Sequence, residues 1–148
     1  MEEQDLYFEI KDSGNFVRLK MVTQLYPEAE LNWDRDWIDV HVDVKAGAFN
    51  GSYKANMRLW EISNFAKQLR VLHEKLAGEA RLEGLEGQVN IQIEGDGIGH
   101  FVASCILTDR VAASENKLEF ELEFDQTDLA IILNQLHTIE NQFSTSSE

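Results

Sequence analysis

The 148-residue sequence has one cysteine, one proline and no long apolar run, and these shortages exclude several classes of protein. A lone cysteine cannot form an intrachain disulfide, and the position of Cys105 in the apolar run Phe101–Leu107 favours a small buried side chain over a nucleophile. No apolar run approaches the roughly 20 residues that span a bilayer, which excludes a membrane protein. The N-terminal segment Met1–Asp5 is acidic, whereas a secretory signal begins basic and then turns apolar, so we expect a cytoplasmic protein.

Basic residues are also scarce. The chain has 13 Lys and Arg residues against 27 Asp and Glu residues, a formal net charge of −14. Such a charge repels nucleic acid and anionic membranes, and it accelerates encounter with a basic protein. Taken alone, the charge is explained more simply by solubility, and it permits a basic partner without requiring one. No basic stripe with interleaved aromatic residues occurs, which is a second reason to expect no nucleic-acid binding.

Signatures of catalysis and of metal binding are missing from the sequence as well. No serine lies in a Gly-x-Ser-x-Gly elbow, and no histidine or cysteine has the spaced partners of a zinc motif. Carboxylates are plentiful, but nothing singles out two of them as lying in contrasting environments, as an acid and base pair would. We therefore expect no catalytic residue, no metal and no cofactor.

The clearest pattern in the sequence is a strand, a turn, a second strand and a helix within Asp36–Gly78. Apolar residues alternate with polar ones from Ile38 to Val44 and again from Tyr53 to Leu59, which predicts two half-buried strands joined at Gly47–Gly51. The apolar spacing then lengthens to three and four residues, which is typical of an amphipathic helix. Gly78, just past that helix, is predicted to be its left-handed C-cap.

The rest of the chain predicts more strands and a second helix. The further predicted strands are Leu6–Ile10, Phe16–Val22, Glu79–Gly84, Gln88–Glu94, His100–Leu107 and Lys117–Phe124. Polar residues at Asp125–Asp128 are typical of a helix N-terminus, and the apolar stripe from Leu129 to Phe143 predicts an amphipathic helix after them.

Each half of the chain, residues 6–78 and 79–143, is thus predicted as about four strands followed by a helix. We interpret residues 1–148 as a single domain of the α+β class. Its predicted architecture is an antiparallel sheet of seven or eight strands, or two adjoining sheets, with two amphipathic helices on one face. An internal ββββα duplication is a hypothesis, because the two halves match in pattern with few identities.

The glycine-rich segment Gly95–Gly99 has two interpretations. Three glycines at alternate positions suggest a phosphate-binding loop, but such a loop places its third glycine further on and leads directly into a helix. The predicted strand from His100 follows instead, so we favour a hairpin turn over nucleotide binding.

Asp39, His41 and Asp43 share one face of a predicted strand, with alternate neighbours roughly 6.5–7 Å apart. Two of them could meet a metal ion, but three ligands from one straight strand converge poorly. Lys54 and Arg58 lie on the facing strand, so cross-strand charge pairs are the alternative that we favour.

The segment from Glu28 to Trp37 combines two tryptophans with a cluster of carboxylates. The tryptophans are expected to close one end of the core, since large aromatic side chains dominate core energetics. A contact patch for a basic, aromatic-rich partner is the functional alternative. A second negative surface is predicted on the strand from Lys117 to Phe124, whose polar positions are nearly all glutamate.

Read from Phe8 to Leu136, the order of features resembles the WapI family of bacterial immunity proteins. The segments that carry the resemblance are Trp33–Trp37 before Val40 and Val42, Leu59–Glu61 before Phe65 and Leu69, Gly95–His100, and Leu118–Phe120 before Asp125–Thr127. The order and spacing of these segments, more than any one of them, carry the resemblance.

The resemblance implies a protein that protects a bacterium by binding and blocking the toxic domain of a polymorphic toxin. Such toxins are often nucleases, whose substrate-binding surfaces are basic, so an acidic inhibitor without catalytic activity fits the role. The rival hypotheses are a small-ligand or metal-dependent enzyme using Asp39, His41 and Asp96, and a general protein-interaction module. The residues predicted to contact the toxin are Glu28, Glu30, Trp33, Asp34, Asp36, Trp37, Glu119, Glu121 and Glu123.

Overall fold

The computed structural model of the protein describes residues 6–24, 37–84, 87–111 and 113–143, which form eight strands and two helices. Each half of the chain contributes four strands followed by one helix, as the alternation of apolar residues predicted. The strands are β1 (Leu6–Asp12), β2 (Asn15–Gln24), β3 (Trp37–Ala46), β4 (Phe49–Arg58), β5 (Ala77–Glu83), β6 (Val89–Asp96), β7 (His100–Val111) and β8 (Ser114–Asp125). The helices are α1 (Leu59–Lys75) and α2 (Gln126–Phe143).

The strands form two four-stranded sheets, ordered β1-β2-β3-β4 and β5-β6-β7-β8. Every neighbouring pair is antiparallel, so consecutive strands are joined as hairpins. The predicted α+β class is confirmed, in the form of two adjoining sheets rather than one. We call β1–β4 the first sheet and β5–β8 the second sheet.

The core takes apolar side chains from both sheets and both helices. In the first sheet the inward positions are the alternate residues of each strand, such as Val40 and Val42 of β3, which are fully buried. The Phe8 ring lies 5.9 Å from the Phe65 ring of α1. Cys105 is 1% exposed, as predicted for a small apolar side chain, and this burial raises the pKa of its thiol to about 12. It is therefore a poor nucleophile at neutral pH.

Each helix covers the first strand of the sheet in the other half of the chain. In α1, Gln68 accepts a hydrogen bond from the Arg81 amide of β5 at 2.9 Å and donates one to the Arg81 carbonyl at 3.2 Å. In α2, Gln135 accepts a hydrogen bond from the Glu9 amide of β1 at 2.9 Å. The two glutamines thus satisfy backbone groups at the outer edges of both sheets.

The prediction that Gly78 is the C-cap of α1 was wrong. Leu76, not Gly78, adopts the left-handed conformation, with φ 64° and ψ −11°, and its amide donates to the Leu72 carbonyl. Gly78 also has a positive φ, of 116°, but it already belongs to β5. The strand therefore starts sooner after the helix than the position of the glycine suggested.

Gly95–Gly99 is a hairpin turn between β6 and β7, as favoured from the sequence. Gly97 and Gly99 have positive φ values of 91° and 105°. A β-carbon on Gly95 would overlap the Leu76 carbonyl oxygen, and one on Gly99 would lie 2.6 Å from Gln126 Oε1. The glycines therefore allow the hairpin to pack against the end of α1 and the start of α2, and they need no nucleotide to explain them.

Candidate partner-binding surface

The outward face of the second sheet collects carboxylates from all four of its strands. Because β5–β8 are in register, outward residues of neighbouring strands lie side by side in rows. One row contains Glu79, Glu94, Val102 and Glu123, and the adjacent row contains Arg81, Gln92, Ser104 and Glu121. We call this surface the acidic face; its carboxylates are Glu79, Glu83, Glu94, Asp96, Glu119, Glu121, Glu123 and Asp125.

All eight carboxylates of the acidic face are exposed. Arg81 is the one guanidinium among them, and it lies 3.1 Å from Glu79 and 3.7 Å from Glu83. Lys117 alternates with Glu119 on the same face of β8, so the eight carboxylates and two cations give a formal charge of −6, out of the net −14 of the whole chain. A large share of the acidity predicted from composition therefore lies on one side of one sheet.

The acidic face contains an open groove of about 640 Å³. Its lining includes Val102 and Ser104 of the inner strand β7, with Glu94 on one side and Glu121 and Glu123 on the other. The Ser104 hydroxyl lies 3.5 Å from Glu121 Oε2. The middle of the groove is formed by an apolar side chain and a hydroxyl group, and its sides are formed by carboxylates. Such a groove suits a partner segment that carries both basic and apolar side chains.

At the end of the groove, Asp96 is held by the β6–β7 turn. Its Oδ1 accepts hydrogen bonds from the Ile98 amide at 2.8 Å and the His100 amide at 3.1 Å, and its Oδ2 lies 3.4 Å from His100 Nδ1. The hydrogen bond from the Ile98 amide is the largest of the causes that hold the pKa of Asp96 below its usual value, and the hydrogen bond from the His100 amide adds to it. Asp96 therefore stays ionised at neutral pH.

The structure separates the predicted contact residues. Glu119, Glu121 and Glu123 lie together on the acidic face. Trp37 lies on the outward face of the first sheet, where the Arg58 guanidinium carbon is 5.0 Å from the centre of its ring. The other five predicted residues, Glu28, Glu30, Trp33, Asp34 and Asp36, are outside the described residues.

Sequence reasoning missed the carboxylates that β5 and β6 add to this surface. Glu79, Glu83 and Glu94 alternate with apolar residues in the same way as the glutamates of β8, so the signal was present. It was weaker because glutamine, asparagine and arginine occupy the other outward positions of those two strands. Whether the carboxylates of β5 and β6 lie on the same surface as those of β8 depends on the strand order, and the alternation of apolar and polar residues does not predict strand order.

The rival site does not assemble in the described part of the chain. Asp43 accepts a hydrogen bond from the Ser52 hydroxyl at 2.8 Å, and His41 Nε2 lies 3.0 Å from the same oxygen. Lys54 is opposite His41 and Arg58 is opposite Trp37, so neither cation directly faces a carboxylate of β3. Asp96 belongs to the other sheet. Across residues 6–24, 37–84, 87–111 and 113–143, no three His, Cys, Asp or Glu side chains are grouped to hold a metal ion.

Neither of the two described helices is long and apolar enough to cross a membrane.

Two solved structures show a similar fold at low identity. MRP1/MRP2 of Trypanosoma brucei is 9% identical, with a TM-score of 0.55, and the match covers 97% of this chain and 90% of the other. A guide-RNA-binding protein complex bound to its RNA is 11% identical, with a TM-score of 0.52, covering 97% and 94%. No curated protein sequence matches the chain. A family profile described as the immunity protein WapI-like family matches residues 7–144, nearly the whole sequence, and the chain therefore belongs to the WapI-like immunity protein family.

Proposed function

We propose that the protein is a non-catalytic immunity protein that binds a cognate bacterial toxin domain through the acidic face and blocks it. Membership of the WapI-like family supports a toxin as the partner. The observation that carries the proposal is the charge of −6 collected on the outward side of one sheet. A partner that covers this face needs a basic surface, because like charges placed across an interface cost several kcal/mol.

A nuclease is the toxin class that the acidic face matches best. Nucleases hold a polyanionic substrate with lysine and arginine, and an acidic protein face attracts the same side chains. The exposed carboxylates would steer the encounter, while Val102 and the exposed Ile106 of β7 supply apolar contact after docking. Inhibition by covering a substrate surface requires no bond to be made or broken, and it takes place where the toxin acts, in the cytoplasm.

Nucleic-acid binding by this chain is not part of the proposal, although one of the similar structures is a guide-RNA-binding complex. The likeness to that structure, at 11% identity, concerns the fold. A phosphate backbone on the second sheet would meet exposed carboxylates, and the net charge of −14 opposes its approach from a distance.

The proposal is tested with the toxin domain encoded next to the gene for this protein. We expect Glu121→Lys on the acidic face to slow association about tenfold at low salt and to change dissociation much less, as measured by stopped-flow fluorescence. The matched control is Glu74→Lys, another exposed glutamate, located on α1 away from the acidic face. It should change association less than twofold, and added NaCl should slow the wild-type association.

Two results would contradict the proposal. Absence of binding to any toxin domain encoded beside the gene would count against the immunity function. If the toxin still binds but Glu121→Lys and Glu74→Lys slow association equally, the immunity function stands and the acidic face is not the contact surface. Charge reversal at Asp34 and Asp36 should also slow association if the segment predicted from the sequence takes part.

A further inference from the structure

Four sheet edges must be protected in this fold, and three are blocked or charged in the described residues. Gln135 bonds to β1 and Gln68 bonds to β5. On β8, the Glu123 amide donates to Asp12 Oδ2 at 2.9 Å, and the preceding residues of that strand carry charges at Glu115, Lys117, Glu119 and Glu121. Bonded and charged edges resist pairing with another strand.

The fourth edge, on β4, is left unpaired and uncharged over Phe49–Tyr53, which we call the open edge. The turn before it has two residues, Gly47 and Ala48, so the backbone groups of Asn50, Ser52 and Lys54 point away from β3. The Lys54 carbonyl accepts a hydrogen bond from Gln88 Nε2 at 3.3 Å. No such partner for the backbone of Asn50 or Ser52 exists among the residues that the structure describes.

An exposed phenylalanine and a groove of mixed apolar and polar lining lie side by side at the open edge. Phe49 is 67% exposed, which is unusual for so large an apolar side chain. Beside it is a groove of about 260 Å³ with an apolar part formed by Val44, Tyr53, Leu107 and Leu118. Asp109, Asn116 and Lys117 also line this groove. Gly51 is also exposed, and because it has no side chain it leaves both the groove and the edge of the strand accessible to another strand.

We propose that the open edge pairs with the open edge of a second copy of this chain, forming an antiparallel two-fold dimer. In the register with Gly51 facing Gly51, Asn50 of one copy pairs with Ser52 of the other, and Phe49 lies against Tyr53 and the groove of the other copy. Such a contact is self-complementary, because each copy supplies one exposed Phe49 ring and one groove that receives the ring of the other copy. The β4 strands would join the two first sheets into one sheet of eight strands.

The register also avoids a clash of charges. Lys54, the nearest charge on β4, faces Ala48 of the second copy, so the two lysines lie on opposite sides of the two-fold axis and several residues apart. The contact spans about five residues per copy, which is smaller than the roughly 800 Å² per partner of a standard interface. The dimer is therefore weak and forms at high protein concentration, and it leaves the acidic face free.

Cysteine cross-linking of the full chain tests the proposed register. Gly51→Cys would place two thiols in a non-hydrogen-bonded pair, with α-carbons about 4.5 Å apart, a distance that suits a disulfide. A β-carbon at Gly51 meets only Val44 Cγ1, at 3.7 Å, so the variant should fold. The native Cys105 is buried and does not compete. The control is Asn90→Cys, an exposed strand position on the acidic face.

Under mild oxidation we expect Gly51→Cys to form covalent dimers at least tenfold faster than Asn90→Cys. Equal rates would overturn the proposal, because they indicate random collision. Sedimentation is the second measurement: the mass of the wild-type chain should rise above 16.9 kDa with concentration. Asn50→Pro removes an outward amide without touching the bonds to β3, and it should stay monomeric.

A second control distinguishes pairing at the open edge from non-specific association through exposed apolar side chains. Ile98→Ser removes a side chain that is 77% exposed at the β6–β7 turn, and it should leave the dimer unchanged, whereas Phe49→Ser should abolish it. A wild-type chain that stays monomeric at all concentrations would refute the dimer. Salt should strengthen self-association, since each copy carries −14, whereas it should weaken toxin binding, so the two contacts are distinguishable.

Discussion

At the scale of single residues, the most unusual side chain is the buried glutamate of β1. The Glu9 carboxylate has only 4% of its side-chain surface exposed, and Arg18 Nε donates a hydrogen bond to it at 2.7 Å. The Arg18 guanidinium lies over the rings of Phe16, at 4.8 Å, and Tyr7, at 5.8 Å. Lys11 adds a second cation at 3.3 Å, but its side chain is 72% exposed. Arg18 is thus the cation that compensates for the burial of Glu9.

We expect Arg18→Leu to lower the free energy of unfolding by about 3 kcal/mol, because it leaves a buried carboxylate without its main partner. Lys11→Leu, at the same glutamate, should cost less than about 1 kcal/mol, since exposed ion pairs contribute little. Urea denaturation monitored by circular dichroism measures both. Equal costs for the two variants would show that Arg18 has no special role.

At the scale of elements, the β6–β7 hairpin and the end of α1 hold each other in place. The Gly97 amide donates to the Leu76 carbonyl at 2.9 Å, and Leu76 itself is the left-handed cap of the helix. Gly95 sits against the same carbonyl and against Leu72 and Phe101, with no room for a β-carbon. A residue in a helix cap and a glycine in a strand therefore depend on one another.

Gly95→Ala should lower the free energy of unfolding by about 2 kcal/mol, because the added methyl group forces the helix end and the hairpin apart. The matched control is Gly51→Ala, where the nearest atom would be 3.7 Å away, and it should change stability by less than about 0.5 kcal/mol. Thermal unfolding of the two variants beside the wild type provides the comparison. A tolerated Gly95→Ala would mean that the hairpin can shift freely.

The elements were predictable from the sequence because nearly all strands have one buried and one exposed face. Val40 and Val42 alternate with Asp39 and His41, and this pattern survives into the structure. The C-cap at Leu76 was not predictable, because left-handed leucine is rare and Gly78 was the better candidate by residue type. Alternation also reveals which face a residue occupies but not which strand lies beside it, so the division into two sheets was left open.

The candidate site was predictable in part for the same reason. Glu119, Glu121 and Glu123 follow one another on a single strand, and that local repeat identified them. Glu94 and Asp96 join them only through the pairing of β6 with β7 and of β7 with β8. The position of Trp37 on the other sheet could not be inferred without knowing that two sheets exist.

At the scale of the whole molecule, charge is distributed unevenly. The acidic face carries −6, whereas several cations lie on the outward side of the first sheet. These cations include Lys11, Arg18, Lys20, Lys45 and Lys54. Like charges crowded on one face repel one another and lower the stability of the compact state.

We therefore expect Glu121→Gln to raise the free energy of unfolding by about 0.5 kcal/mol at low salt, since it relieves repulsion among neighbouring carboxylates. Added NaCl should raise the melting temperature of the wild type and reduce the difference between wild type and variant. Glu140→Gln is a useful contrast, because Glu140 is ion-paired with Arg70 and its loss should not stabilise the protein. A destabilised Glu121→Gln variant would mean that the glutamate makes favourable contacts in the free protein.

Gln68 and Gln135 each occupy the tenth position of their helix, and each bonds to the opening strand of the opposite half. This equivalence supports the hypothesis of duplication, and it has a physical consequence. Each half covers the opening strand of the other half with its helix, so neither half alone reproduces the edge contacts seen here. We expect the two fragments produced by a cut between α1 and β5 to stay associated, because each helix is bonded to the sheet of the other half.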